Sequence, residues 1–292
     1  MTPEPVLVLV PGASGAPQDG SAPFHIAEEG APQLLVTDLA VTRGDGVFET
    51  IGVFDGAPVN VGPHLARLNR SAGLVDLPEL DLDTLSAAVD AAIDAHDPVP
   101  ELTVRVIVTR GIEGTGAPTA WVHARVAADW SRYRDGMKVV TLDRGLASTV
   151  VDTSPWLLPG AKTLSYAVNM AATREAVRRG AEDVLFVSTD GYALEGPTST
   201  LLVHHGDVFT TTPVSAGVLP GTSVATIFAA LEKEGLSTRE ELLRPAQVVE
   251  SDGAWLLSSS RLAAPLTHLD EQPIPVDAQL SRRFVDLLSG RA

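Results

Sequence analysis

The sequence predicts an α/β (α+β) fold built as two successive units, and three features carry that expectation. Two runs of short apolar strands alternate with amphipathic helical segments. Asp-Gly pairs mark tight turns between neighbouring strands. The polar stretch Asp129-Trp130-Ser131-Arg132-Tyr133-Arg134-Asp135-Gly136 then breaks the pattern between the two runs. With 292 residues and 45% hydrophobic content, the chain can bury a large core and form one or two domains. The expected boundaries are residues 1–130, a linker at 131–136, and residues 137–292.

In the first unit, Val6-Leu7-Val8-Leu9-Val10 is an apolar run of strand length, and the Gly/Pro/Ala-rich stretch from Pro11 to Pro23 reads as a loop. Gly46 to Phe54, Asp55-Gly56 and Ala57-Pro58-Val59-Asn60 read as two strands joined by an Asp-Gly turn. A helix follows from Pro63, because proline suits the first helical position and Leu65, Leu68 and Ala72 recur on one face. A second helix covers Asp83 to Ala95, with Leu85, Ala88, Val89 and Ile93 apolar. Strands over Leu102 to Thr109 and Ala120 to Val126 complete the unit.

The second unit opens near Met137 with the strand Lys138-Val139-Val140-Thr141-Leu142. A helix from Tyr166 to Arg179 ends at Gly180 as its C-terminal cap. Asp183 to Ser188 is a strand, Asp190-Gly191 a hairpin turn, and Tyr192-Ala193-Leu194-Glu195 the returning strand, which holds Glu195 more firmly than a loop would. Another hairpin turns at Gly206-Asp207. Gly217 to Ser223 opens a helix reaching Glu234, and Ala254-Trp255-Leu256-Leu257 is strand-like.

Composition excludes several functions. A formal charge of −16 argues against nucleic acid and anionic membrane as partners, while leaving room for a local cationic pocket. The absence of cysteine removes disulfides, thiolate metal sites and a cysteine nucleophile. No apolar run reaches membrane-spanning length, and the first strand lacks the basic region of a signal peptide, so the expected location is cytoplasmic. His204 and His205 are adjacent on a strand and point to opposite faces, so they cannot chelate a metal together.

Lys162 is one of three lysines and opens Lys162-Thr163-Leu164-Ser165-Tyr166, with a carboxylate following in Leu194-Glu195-Gly196-Pro197-Thr198-Ser199-Thr200. Lys138 begins a strand and Lys233 lies in a charged helix end, so neither fits a reactive role. The pairing of Lys162 with Glu195 points to pyridoxal phosphate chemistry. A Schiff-base enzyme needs an amine that is unprotonated near neutral pH, and burial beside a cationic ring and phosphate-binding arginines lowers a lysine's pKa. A solvated loop lysine is the competing reading.

Five motifs occur in order: Arg43-Gly44-Asp45-Gly46-Val47-Phe48-Glu49-Thr50, His64-Leu65-Ala66-Arg67-Leu68, Lys162, Glu195-Gly196-Pro197-Thr198-Ser199 and Gly217-Val218-Leu219-Pro220-Gly221. Together they resemble the fold-type IV pyridoxal phosphate enzymes, which include branched-chain and D-amino acid aminotransferases and 4-amino-4-deoxychorismate lyases. The resemblance implies a small N-terminal α/β domain, a larger C-terminal pseudo-barrel domain, and a homodimer with the cofactor between the domains.

It also implies roles. Lys162 is the covalent anchor, and Glu195 keeps the pyridine nitrogen protonated, which makes the ring a better electron sink. Arg67 binds the phosphate through a bidentate fork, with Arg70 a solvated helical arginine. Thr222 and Ser223, after Gly221, offer hydroxyls and backbone amides to an anion, or cap the helix in the ordinary way. Ser259 completes the phosphate cup, with Ser258 and Ser260 either assisting or forming a polar turn. Tyr166 either lines the pocket or is buried at a helix start.

Substrate choice is less sharply written. The Arg-x-His carboxylate trap of D-amino acid aminotransferases is missing, since Val108-Thr109-Arg110-Gly111 continues as Ile112-Glu113-Gly114-Thr115-Gly116-Ala117. The Arg-Gly-Tyr of the familiar bacterial lyase is absent from the same loop. The texture around Lys162 and Glu195 most resembles 4-amino-4-deoxychorismate lyase, acting on a small-molecule substrate and releasing pyruvate and 4-aminobenzoate; the alternative is a branched-chain or D-amino acid aminotransferase. A nucleotide-binding enzyme would need a helix after the glycine-rich Pro11 to Ala16, and Pro17-Gln18-Asp19-Gly20 is no helix start.

Overall fold

The computed structural model describes residues 3–15, 17 and 20–291. They divide into two compact units, one of Met1–Ala128 with Ala161–Tyr166 and one of Asp129–Gly160 with Ala167–Ala292.

The first unit contains β1 (Val6–Leu9), β2 (His25–Ala27), α1 (Leu39–Arg43), β3 (Gly46–Phe54), β4 (Ala57–Pro58), α2 (Val61–Leu74), α3 (Leu82–Asp94), β5 (Glu101–Thr109) and β6 (Thr119–Val126). The sheet runs β2-β1-β6-β5-β3-β4, all antiparallel. Alternate residues of a strand face opposite sides. One face presents Val47, Ile51, Val104, Val106, Val108, Val122 and Ala124, all buried, to α2 and α3, which reply with Leu65, Leu68, Ala72, Leu85, Ala88 and Val89. Asp81 starts α3 by accepting a hydrogen bond from the Thr84 amide.

The second unit contains α4 (Ser131–Asp135), β7 (Met137–Asp143), α5 (Val150–Thr153), α6 (Ala167–Arg178), β8 (Asp183–Val187), β9 (Thr200–His205), β10 (Val208–Thr211), α7 (Thr222–Lys233), β11 (Ser237–Glu240), α8 (Pro245–Val249), β12 (Gly253–Ser258), β13 (Leu262–Leu269), β14 (Gln272–Pro273) and α9 (Ala278–Ser289). Its sheet runs β11-β10-β9-β12-β13-β7-β8, with β14 on β13. The β7–β8 pair is parallel, and Val184, Leu185 and Phe186 are buried in succession because the sheet is covered on both faces. Leu185 joins a core with Met137, Leu201, Val203, Leu256 and Leu266, whereas Val184 and Phe186 pack with Ala172 and Ala176 of α6. Trp255 is fully buried and donates its indole N–H to Ser281 Oγ at 2.8 Å.

Several expectations are adjusted. Helix α2 begins at Val61, so Pro63 is its third residue; a proline anywhere in the first turn forfeits no helical hydrogen bond. Residues 131–135, expected as linker, form α4, which packs on β13 and α9. Tyr192 to Glu195 is not a regular strand. Phe186 accepts from Leu194 N and donates to Glu195 O, so two residues face one and the ladder breaks as at a β-bulge. The loop expected over Pro11 to Pro23 includes Ala16, Gln18 and Asp19, which lie outside the described residues; around them, Gly12 N–H donates to Pro23 O at 2.9 Å. No helix among the described residues is long and apolar enough to cross a membrane.

Candidate active site

Lys162 is placed by a short segment that pairs with β3 through an isolated bridge. Leu164 N–H donates to Gly46 O at 2.8 Å and Phe48 N–H to Lys162 O at 3.0 Å, around an antiparallel Val47–Thr163 bridge. This pairing requires Gly46, because a Cβ there would stand 2.6 Å from Val108 O and 2.9 Å from Leu164 Cδ1. Ser71 of α2 accepts from the Lys162 amide at 3.2 Å. Residues directly opposite in a ladder share a face, so Lys162 lies beside Phe48 on the face turned away from α2 and α3. Its Nζ sits 4.5 Å from the Phe48 ring centroid and 5.9 Å from that of Tyr166. The two rings meet edge to face at 5.3 Å. Tyr166, immediately before α6, therefore packs at the amine, which two aromatic rings hold in place.

Glu49 is on the opposite face and is fully buried. Arg67 donates to it through Nε at 2.6 Å and Nη2 at 2.8 Å, and His64 Nδ1 stands 2.8 Å from Oε2. An ionised carboxylate only accepts, so Nδ1 carries the proton. Burial pushes the Glu49 carboxyl up, but the hydrogen bonds from Arg67 and His64 and the charges of Arg67 and Lys162 outweigh it and lower it to about 2. The bidentate edge of Arg67 expected to grip a phosphate is thus engaged by Glu49. Glu49 and His64 lie within the quoted motifs, yet nothing local marked them as partners of Arg67. Arg70 is exposed.

In the second unit, the Glu195 carboxylate accepts from the Leu219 amide at 3.2 and 3.3 Å. Thr222 and Ser223 are buried at the start of α7, and the N-cap Gly221 supplies no side-chain acceptor. A side chain at 221 would collide with Thr200 Oγ1. Ser259 follows β12 in a turn where Ser258 Oγ accepts from the Arg261 amide at 3.2 Å and Arg134 donates to the carbonyls of Arg261 and Ser260 at 3.3 and 3.4 Å. Sequence reasoning missed Arg261, whose buried guanidinium bonds Asp183 at 2.6 Å and Ser199 Oγ at 3.2 Å, bracing the segment that follows Glu195. A charged side chain between apolar strands was the available signal. Arg110, beside the missing substrate trap, is engaged by Asp45 at 2.7 and 3.2 Å. His204 stacks on Phe209 at 4.3 Å, and no cluster of three or more metal-ligating side chains occurs among the described residues.

Lys162, Tyr166 and Arg67 therefore belong to the first unit, and Glu195, Thr222, Ser223 and Ser259 to the second. A family model for class IV amino-transferases matches residues 46–269. The chain belongs to the class IV aminotransferase family. This class IV enzyme is 45% identical, over 86% of its own length and 91% of the relative's, to the bifunctional aminodeoxychorismate lyase / D-amino acid transaminase of Mycobacterium tuberculosis. Among solved structures it resembles a fold IV transaminase from Curtobacterium pusillum, with a TM-score of 0.93, 46% identity, and coverage of 99% of this chain and 100% of the other. A hypothetical aminotransferase from Mycobacterium tuberculosis in its PLP-bound form matches with a TM-score of 0.88 and 41% identity over 98% of each chain.

The class IV enzyme has the two-unit fold of type IV, and pyridoxal phosphate is the cofactor of this family. The residues in each unit suit that group. The first offers an amine held against aromatic rings. The second offers a backbone-anchored carboxylate for a ring nitrogen and a helix N-terminus without a side-chain cap, flanked by buried hydroxyls, for a phosphate.

Proposed function

We propose that this class IV enzyme is a pyridoxal phosphate-dependent 4-amino-4-deoxychorismate lyase, converting its substrate to 4-aminobenzoate and pyruvate. The observation that carries the reading is the 45% identity to a bifunctional aminodeoxychorismate lyase / D-amino acid transaminase across most of both chains. The same name supplies the second reading, D-amino acid transamination.

When bound, the cofactor supplies an electron sink for charge on the carbon next to the substrate nitrogen. Lys162 Nζ would hold it covalently and would take the proton from the ring carbon that bears the substrate nitrogen. The allylic carbon–oxygen bond then breaks, the enolpyruvyl group leaves and gains a proton as pyruvate, and the ring becomes aromatic. Glu195 keeps the pyridine nitrogen protonated. Thr222, Ser223, Ser259 and the first amides of α7 receive the phosphate. Arg67 adds positive charge in the first unit, held in orientation by Glu49. A homodimer belongs to the same reading, supported by the exposed apolar Ile26, Leu35, Val36 and Val41, and light scattering measures it.

Lyase chemistry restores the starting enzyme at every turnover, whereas transamination leaves the nitrogen on the cofactor until an oxo acid arrives. The holoenzyme is therefore expected to yield 4-aminobenzoate and pyruvate in equal amounts with no oxo acid added. Rapid half-transamination of D-alanine without 4-aminobenzoate would transfer the assignment to the second reading. Glu195→Gln is expected to retain the cofactor yet lose on the order of 100-fold in turnover, because a neutral amide cannot hold the ring nitrogen protonated. Full turnover in that variant would make Glu195 a bystander.

A further inference from the structure

One buried guanidinium joins two turns of the second unit. The first turn follows Glu195 and runs over Gly196, Pro197, Thr198 and Ser199, closed by the Gly196 amide donating to Ser199 O at 2.8 Å. It is tight, because a Cβ on Gly196 would stand 2.3 Å from Ser199 Oγ. The second turn holds Ser259 and connects β12 to β13. Leu257 pairs with Thr200, so Ser199 and Ser258 lie side by side at the ends of neighbouring strands. Arg261 closes the second turn, its amide donating to Ser258 Oγ at 3.2 Å. Its side chain reaches the first turn, where Nη2 donates to Ser199 Oγ at 3.2 Å and to Asp183 Oδ2 at 2.6 Å.

As a source of stability alone this contact is a poor choice. The side chains of Arg261 and Asp183 are only 8% and 5% exposed, and Arg261 Nε is buried with no hydrogen-bond partner among the described residues. A buried ion pair adds little stability over apolar side chains of similar volume, and a donor left without an acceptor is a further cost. What the pair does supply is orientation. Glu195 stands at a bulge rather than in a regular ladder, so the turn behind it is held by side chains from two other elements. Asn169 of α6 donates to Pro197 O at 2.6 Å, and Arg261 bonds Ser199.

We propose that Arg261 is a positioning residue of the second unit, setting Glu195 through Ser199 and Ser259 through the turn that it closes. Both roles rest on the proposed ones of Glu195 at the ring nitrogen and Ser259 at the phosphate. Asp183 supplies the counter-charge that keeps the guanidinium between the two turns. A carboxylate holds a pyridine nitrogen protonated only while it stays within hydrogen-bond reach. Releasing the turn therefore weakens the ring contact without removing any group that touches the cofactor.

Two variants separate the links. Ser199→Ala cuts the tether to the Glu195 turn while leaving the Arg261–Asp183 pair and the Ser259 turn in place. Isotope-edited NMR follows the holoenzyme loaded with pyridoxal phosphate labelled at the ring nitrogen. In Ser199→Ala that nitrogen is expected to lose its proton at a pH about one unit lower, the tenfold weakening that loss of one charge-assisted hydrogen bond brings. The kcat for 4-amino-4-deoxychorismate should fall about tenfold with KM within about threefold, and the preference of the apoenzyme for pyridoxal phosphate over pyridoxal should stay as in the wild type. Arg261→Met releases both turns, so the nitrogen shift should recur and the phosphate preference fall at least about tenfold. Arg261→Lys, which keeps a charge opposite Asp183, should recover part of both losses. A merely structural role would lower the urea midpoint and leave the nitrogen, kcat and phosphate preference of the folded enzyme unchanged; that result in Ser199→Ala overturns the proposal even if Arg261→Met does not fold. A nitrogen moved by Glu195→Gln but not by Ser199→Ala counts against Arg261 alone, whereas one that neither variant moves removes the role of Glu195 and that of Arg261 with it.

Discussion

Lys162→Ala is expected to abolish turnover, with a loss of at least about 10³- to 10⁴-fold, because one side chain serves as both covalent anchor and proton acceptor. The fold should survive, since the contacts that hold the segment are backbone bonds to Gly46 and Phe48 and a bond to Ser71, none of which uses the amine. Borohydride treatment of the wild-type holoenzyme should erase its visible absorption band and leave the cofactor on the peptide that contains Lys162. Recovery of the label at Lys138 or Lys233 would remove Lys162 from the mechanism.

Glu49→Gln is expected to lower stability by about 3–5 kcal/mol at pH 7, as breaking one side of a buried ion pair does. The amide keeps the shape of the carboxylate and leaves the Arg67 guanidinium, only 9% exposed, without its counter-charge. The pH dependence has a definite sign. The folded value of about 2 lies below the ordinary 4.5, so Glu49 contributes stability that is complete above pH 4.5 and is lost as the pH falls towards 2. The shift corresponds to about 3 kcal/mol. Urea unfolding of wild type and variant across that window should show a steep acid loss in the first and a shallower one in the second. Equal stability at pH 7 would mean that Arg67 finds another anion.

The elements that were legible are those whose signals are local. The β3–β4 hairpin was marked by Asp55-Gly56, and Asp55 and Gly56 both adopt the positive φ that such a turn demands. Helix α3 was marked by apolar spacing, and Leu85, Ala88 and Val89 are all buried. The returning strand at Glu195 was misjudged because Tyr192-Ala193-Leu194-Glu195 alternates well enough, while a bulge opposite Phe186 depends on how two segments pair. Glu195 is held instead by the Leu219 amide, contributed by a different motif.

Chain order and local chemistry by themselves determined the kinds of elements, the order of five motifs and the choice of Lys162 among three lysines, because turn residues, helical periodicity and composition act over a few positions. Only tertiary structure decided the neighbours. Lys162 lies in a segment bridged to a strand formed far earlier in the chain, Arg67 is engaged by Glu49 at a separation of 18 residues, and Arg261 is engaged by Asp183. Those pairings follow from sheet order and strand register. A shift of one residue would turn every side chain to the opposite face, and burial of the valines against α2 and α3 selects the register that sets Lys162 and Phe48 on the face opposite to Glu49.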